Sequence, residues 1–340
     1  MKHKLFNVII IALLLLAFTT TSQATMKKVA QAGMQFLKIG VGARAVGMGE
    51  SYVAIGRDVN AIFWNPAGLA YVEDREVTFS HTNWIADISH EAFAAAWNFD
   101  KVGVFGVSLV SMNYGDLYYS AVDFSSSNEF GYTGGRRFGG GTFGVDEYAI
   151  GLAYSRSFTN KFSLGAQVKF VYQGLGNSTV VVRGVEEEIK NEVDALAIDI
   201  GTLYYTGIKD LRLGMSIQNF SKDLTYQLEA FQMPLTFRVG LAMNILSLWN
   251  MEESQNLTLS LDAIHPRDYT ERIHLGAEYW MQDILAVRGG YKFNYDEESL
   301  TAGAGLKYGM GNFKLLVDYS YTAFGEAFGS VHRFSFGMSF

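Results

Sequence analysis

Cysteine is absent from the sequence, and its absence removes disulfide frameworks, thiolate metal sites, thiol catalysis and a lipidated N-terminal cysteine. Proline is scarce, at 3 in 340 residues, and charged side chains make up only 18%. There is no basic stripe and the formal net charge is −7, which argues against nucleic acid as a partner. Beyond the N-terminal run Leu5 to Phe18, no apolar stretch is long enough to cross a bilayer as a helix. Yet mean hydropathy is +0.09, with 36 Gly, 25 Phe and 19 Tyr, too apolar for an ordinary soluble enzyme. A chain this apolar without membrane helices points to membrane strands.

The first residues bear on compartment. Lys2 and Lys4 precede the apolar run LFNVIIIALLLLAF, and Ser22-Gln23-Ala24 supplies the small-x-small pattern that a signal peptidase reads. Cleavage after Ala24 is expected, which makes residues 1–24 a signal peptide and carries the mature chain out of the cytosol.

Downstream, period-two alternation recurs in segments of about ten residues, broken by Gly, Asn and Asp. In the last segment His332, Phe334, Phe336, Met338 and Phe340 face one way, and Arg333, Ser335, Gly337 and Ser339 the other. Candidate strands fall near 76–84, 90–99, 102–113, 147–158, 161–173, 193–205, 211–220, 234–244, 257–265, 272–281, 284–294, 299–308, 312–322 and 332–340. About fourteen strands is the even number that a single-chain outer-membrane barrel requires. The expected fold is therefore all-β: a transmembrane antiparallel β-barrel over residues 76–340.

The connections alternate in size. Asp100-Lys101, Thr159-Asn160, Gln282-Asp283 and Gly309 to Gly311 are tight, and Thr206 to Asp210 is short. The opposite set, 114–146, 174–192, 221–233 and 323–331, is mostly longer, as expected for external loops opposite periplasmic turns. Residues 245–256 break the rule and are expected to hold a short helix. Aromatics collect at both ends: Phe99, Phe158, Phe162, Tyr204, Trp280, Tyr308, Phe313 and Phe340 at one, Trp84, Tyr114, Tyr148, Tyr172, Phe220, Phe293 and Tyr321 at the other. Two girdles suit a bilayer's two interfaces. The expected location is the outer membrane of a Gram-negative bacterium, with lipid, lipopolysaccharide and the barrel-assembly machinery as partners.

Residues 25–75 do not alternate and are small and Gly-rich, as expected of a hatch or plug folded into the lumen. Within them, Phe63-Trp64-Asn65-Pro66-Ala67-Gly68-Leu69-Ala70 resembles the Asn-Pro-Ala hatch motif of the long-chain fatty-acid transporter family. The longer stretch FLKIGVGARAVGMGESYVAIGRDVNAIFWNPAGLA, from Phe36 to Ala70, more specifically resembles the PorV/PorQ family of outer-membrane barrels. The resemblance implies fourteen strands, an N-terminal hatch with its motif at Asn65, Pro66, Ala67 and Gly68, and no enzymatic activity. It also implies a docking or secretion-associated role for exported proteins in type IX secretion, with hatch-gated transport of hydrophobic molecules such as long-chain fatty acids as the alternative.

Other signals carry less. Gly40-Val41-Gly42-Ala43-Arg44-Ala45 satisfies G-x-G-x-x-[GA], but no strand–helix–strand unit surrounds it as a dinucleotide site requires. His81, His265 and His332 are expected on the lipid or interfacial side and His90 and His274 in the lumen. These diverge, so neither a metal nor any other cofactor is expected. No serine sits in a G-x-S-x-G elbow. The inward register places Lys169, Asp199, Arg212, Arg238, Asp262, His274, Glu278, Arg288, Lys292, Lys307, Lys314, Asp318 and Arg333 inside. Two readings of these stay open. They form ion pairs between the walls and the hatch, or the cations Lys169, Arg212, Arg238, Arg288, Lys292 and Arg333 receive the carboxylate of an amphipathic ligand. Acidic Glu186 to Glu188 and Asp296 to Glu298 read as solvated external surface.

Overall fold

The computed structural model describes residues 32–123, 135–182, 185–226, 229–249, 255–311, 313–325 and 328–340. The expected signal peptide, residues 1–24, lies outside the described residues.

Among the described residues eighteen strands form, in chain order. The first six are β1 (Arg75–Asn83), β2 (Ser89–Asn98), β3 (Val104–Asn113), β4 (Leu117–Asp123), β5 (Gly135–Phe143) and β6 (Asp146–Thr159). Then come β7 (Phe162–Val182), β8 (Val185–Tyr205), β9 (Arg212–Phe220), β10 (Leu224–Thr225), β11 (Ala230–Phe231) and β12 (Thr236–Asn244). The last are β13 (Gln255–Pro266), β14 (Arg272–Met281), β15 (Leu285–Phe293), β16 (Glu298–Met310), β17 (Phe313–Phe324) and β18 (Ser330–Ser339). Fourteen of them close an antiparallel barrel in the order β1-β18-β17-β16-β15-β14-β13-β12-β9-β8-β7-β6-β3-β2. The pairs β4–β5 and β10–β11 are separate two-stranded ribbons within long connections.

Alternation explains why these residues close on themselves. In β13, Thr258, Ser260 and Asp262 are buried while Leu259, Leu261 and Ala263 lie on the opposite, exposed face. Leu152 is 66% and Leu196 62% exposed on the outer surface, a cost in water but not in lipid. Closure through β1–β18 pairing, from Glu76↔Ser339 to Asn83↔His332, leaves the barrel without a free edge. The tight turns use residues that tolerate a left-handed backbone, such as Asp100 (φ 48°) and Asp283 (φ 56°). A 3-10 turn at Ile245–Trp249 fills part of the connection that broke the length rule.

Three expectations are corrected. The connection expected over 174–192 is largely strand: β7 and β8 continue as a paired ribbon, Asn177↔Lys190 to Val182↔Val185. The register shifts between Gly174 and Asn177, a usual meaning of glycine inside a strand. Second, three aromatics assigned to the girdles turn inward. Trp280 is buried beneath Arg288 and Lys307, Trp84 packs edge-on to Phe324 beneath Arg333, and Tyr114 donates to Glu147. Third, Glu298 is not simply solvated surface, because it pairs with Lys292 of β15.

Candidate functional site: the lumen and the N-terminal segment

Residues 32–74 run along the inside of the barrel. At the end that carries the long connections, Ala32 bridges Gln232 in parallel, with Gly33 N–H donating to Gln232 O at 3.0 Å. The chain then passes through a 3-10 turn (Gln35–Lys38), a short helix (Ala43–Gly47) and two further 3-10 turns (Val59–Phe63 and Pro66–Tyr71). At the short-turn end Asn98 Nδ2 of β2 donates to Val72 O at 2.7 Å. The segment therefore reaches from one rim to the other.

The four motif residues sit at its tightest contact with the wall. Asn65 caps the Pro66–Tyr71 turn, its Oδ1 accepting from Ala67 N at 3.2 Å. Its Nδ2 donates to Val53 O at 2.8 Å within the segment and to Thr202 O of β8 at 3.0 Å. Ala67 O accepts from Ser155 Oγ of β6 at 3.2 Å and from Ser163 Oγ of β7 at 3.0 Å. Pro66 occupies the first helical position, where its missing N–H costs nothing. Gly68 is required by close approach, since a Cβ there would lie 2.1 Å from Gly56 O.

The wall is shaped to receive this segment. A Cβ on Gly201 would lie 1.9 Å from Asn65 Oδ1, and one on Gly165 would lie 2.3 Å from the Pro66 carbonyl carbon. Farther round, a Cβ on Gly290 would lie 2.1 Å from Gly49 N. Gly165↔Gly201, Gly214↔Gly240 and Gly276↔Gly290 are cross-strand pairs on the ladder, so the inner wall carries a track without side chains. Sequence reading missed that track. Its signal was available: glycines standing at inward positions of strands already recognised.

Charge fixes the segment as well. Arg44 donates to both Glu278 oxygens, at 2.8 and 2.7 Å, and to Asp58 Oδ2 at 2.8 Å. Glu278 also accepts from Arg288 Nε at 2.7 Å, and Arg288 Nη1 reaches Asp318 Oδ1 at 2.7 Å. The result is one network, Asp58–Arg44–Glu278–Arg288–Asp318, crossing from segment to wall. Nearer the long-connection end, Lys292 Nζ donates to Glu50 Oε1 at 2.9 Å. Asp262 Oδ2 accepts from Tyr52 N at 2.9 Å and Val53 N at 3.1 Å. The segment's own contributors, Arg44, Glu50 and Asp58, carried no recognisable spacing.

The six sequence-derived cations divide. Lys169 pairs with Asp199 at 2.8 Å, Arg212 with Asp210 at 3.3 Å, and Arg288 and Lys292 as above. Among the described residues, Arg238 and Arg333 meet no carboxylate. Arg238 donates Nε to Gln218 Oε1 at 3.2 Å and lies over the Trp64 ring, 5.1 Å from its centroid. Arg333 donates to Gly40 O at 3.3 Å and Thr322 Oγ1 at 3.2 Å. Of the remaining inward residues, Lys314 lies half-exposed at the short-turn rim, 3.4 Å from Glu73. Two adjoining cavities, of about 360 and about 50 Å³, lie between residues 36–41 and the wall, and Arg238 lines both.

Comparison with known proteins bears on this architecture. The model of the family described as "Type IX secretion system membrane protein PorP/SprF" matches residues 141–338. A second model, "Uncharacterised protein family (UPF0164)", matches residues 15–210. Among curated proteins no relative matches. Among solved structures, the toluene transporter TbuX of Ralstonia pickettii superposes with a TM-score of 0.59 at 15% identity, covering 88% of this chain and 97% of that one. The toluene transporter TodX of Pseudomonas putida gives 0.57 at 14% identity, with coverage of 88% and 97%. A FadL homologue of Pseudomonas aeruginosa gives 0.53 at 10% identity, with 88% and 98%. At these identities the likeness is one of fold.

Proposed function

The chain belongs to the type IX secretion system membrane protein PorP/SprF family, and on that footing we propose that it is a non-enzymatic outer-membrane docking component for exported proteins. The observation that carries this reading is the filled lumen. A segment bonded at both rims, fitted to a glycine track and tied to the wall by buried ion pairs serves as a hatch that stays in place. A barrel sealed in this way offers partners its rim rather than its bore. We assign the long-connection end, with its ribbons β4–β5, β10–β11 and the extended β7–β8 pair, to the cell exterior, where exported proteins would be met. The earlier likeness of residues 36–70 to the PorV/PorQ family fits a role of this kind.

Lipid and lipopolysaccharide are the surroundings proposed for the apolar outer face. The barrel-assembly machinery is the partner proposed for the terminal strand ending on Phe340, whose ring packs edge-on to Phe313 at 5.2 Å. A second reading, transport of a hydrophobic molecule, is favoured by one observation. The 360 Å³ cavity is lined by Arg238, a cation without a carboxylate partner among the described residues, beside the apolar Phe36 and Ile264. The test separates the two. A deletion strain is assayed in parallel for release of proteins into the medium and for uptake of a labelled long-chain fatty acid. Loss of release with normal uptake supports docking; loss of uptake with normal release refutes it.

A further inference from the structure

The outer face of β2, β3, β6 and β7 is not an even apolar surface. Cross-strand register places Trp97, Phe105, Tyr154 and Ala166 side by side in one row. The next row toward the barrel middle is Ala95, Val107, Leu152 and Val168. Beyond it stand larger side chains again, with Phe93 at one edge and Phe170 at the other. Val107, Val168 and Ala166 stand lower than the rings around them and leave a trough, open to the surroundings, of about 800 Å³ with an almost wholly apolar lining.

Charge is concentrated at one end of it. Arg156 stands two residues beyond Tyr154 on the same outward face of β6, exposed, beside the turn that joins β2 to β3. That turn carries Lys101, also exposed and neighboured by Asp100. Neither Arg156 nor Lys101 has an ion-pair partner among the described residues, whereas Lys169, Arg238, Arg288, Lys292 and Arg333 of the lumen are bonded to carboxylates, amides, hydroxyls or backbone carbonyls. Both lie at the short-turn rim, where the aromatic residues Trp97, Phe99 and Tyr154 mark the interface. An unpaired guanidinium at that depth seeks a phosphate.

We propose that this trough is a binding site for one anionic glycerophospholipid, its acyl chain lying across Val107 and Ala166 and its phosphate held by Arg156 with Lys101. The occupant is a lipid of the leaflet at the short-turn end, not a transmembrane element of another protein. Apolar surface of this shape is matched by a flexible chain, and the two cations supply the headgroup contact that a transmembrane segment lacks.

Trp97 in the trough gives the readout. The full chain is reconstituted in phosphatidylcholine bilayers containing brominated phosphatidylglycerol, and the Trp97 contribution is taken as the difference between parent and Trp97→Phe. Leu315→Trp in the Trp97→Phe background reports an ordinary lipid-facing position at the same rim. Preferential quenching at Trp97 over the Leu315→Trp position is expected. Arg156→Gln with Lys101→Gln should cut that preference by roughly fivefold or more, since each basic residue near an anionic lipid contributes at this order. Ala166→Phe, filling the trough, should lower Trp97 quenching by any brominated lipid. Equal quenching at both positions would overturn the proposal, as would a preference that survives removal of both cations. The charge substitutions lie on exposed positions, so insertion of the barrel is not at stake.

Discussion

At the scale of single residues, Asn65 does the most with the least. One amide caps a turn, holds Val53 O within the segment and reaches Thr202 O on the wall. Truncating it leaves those buried groups unpaired, at about 1–3 kcal/mol. That is little beside a barrel's backbone ladder and much for the seating of a short segment. Asn65→Ala with Pro66→Gly is therefore expected to leave the barrel inserted and heat-resistant on gels while loosening the segment. In planar bilayers the parent should conduct close to nothing and the double variant should open often. An inserted variant as silent as its parent would mean that the motif does not hold the segment.

Glu50 makes a second test. Its carboxylate accepts from Lys292 Nζ at 2.9 Å, joining segment to wall. Removing one partner of a buried ion pair leaves the other charge uncompensated. Glu50→Gln should therefore show more openings than the parent in planar bilayers at neutral pH. A variant as silent as the parent would mean that this pair does not hold the segment.

At the scale of elements, most of the barrel is legible because a lipid-facing strand must alternate, and the alternation is dense enough to count. The tight turns were legible for the same reason, as breaks in the pattern carrying Asp, Asn or Gly. What escaped was any feature whose signal is shared by two structures. Gly174 and Gly176 mark a turn or a ladder irregularity equally well, and only the pairing of Asn177 with Lys190 decides for the second. Trp280 at a strand end reads as an interfacial anchor, yet inward parity buries it under two cations. The N-terminal segment has no period at all, so its motif was legible only by resemblance, and its ion pairs across more than two hundred residues of sequence were not.

The extended β7–β8 ribbon makes the element-scale prediction. Cysteine introduced at Asn177, in a chain otherwise free of cysteine, should react with an impermeant thiol reagent on intact cells. Cysteine at Asn160, in the tight turn between β6 and β7, should not react until the outer membrane is breached. Labelling at Asn160 with the membrane intact would reverse the orientation.

At the scale of the whole molecule, the fold is shared with barrels known as transporters, while the family is that of a secretion system. Fold alone does not decide between these uses. The behaviour of the segment does. A conduit must move it, whereas a docking component keeps it seated, and the many wall contacts favour the second. Truncating one partner of a buried charge network such as Arg44–Glu278–Arg288 costs about 3–5 kcal/mol, so displacing the segment, which breaks several such contacts together, is a large expense for a gate.

The most direct measurement locks the segment to the barrel and asks whether the protein still works. Ala32 of the segment pairs with Gln232 in a parallel β-bridge, with Gly33 N–H donating to Gln232 O at 3.0 Å. Paired residues on neighbouring extended chains stand about 5 Å apart, a spacing that a disulfide can span, and the absence of native cysteine makes the pair unambiguous. The deletion strain is complemented with Ala32→Cys/Gln232→Cys, cross-linking is verified on gels, and release of exported proteins is measured with and without reductant. The account predicts release equal to that of the parent in the locked state. Release that is abolished by the lock and restored by reduction would show that the segment must move, and would contradict it.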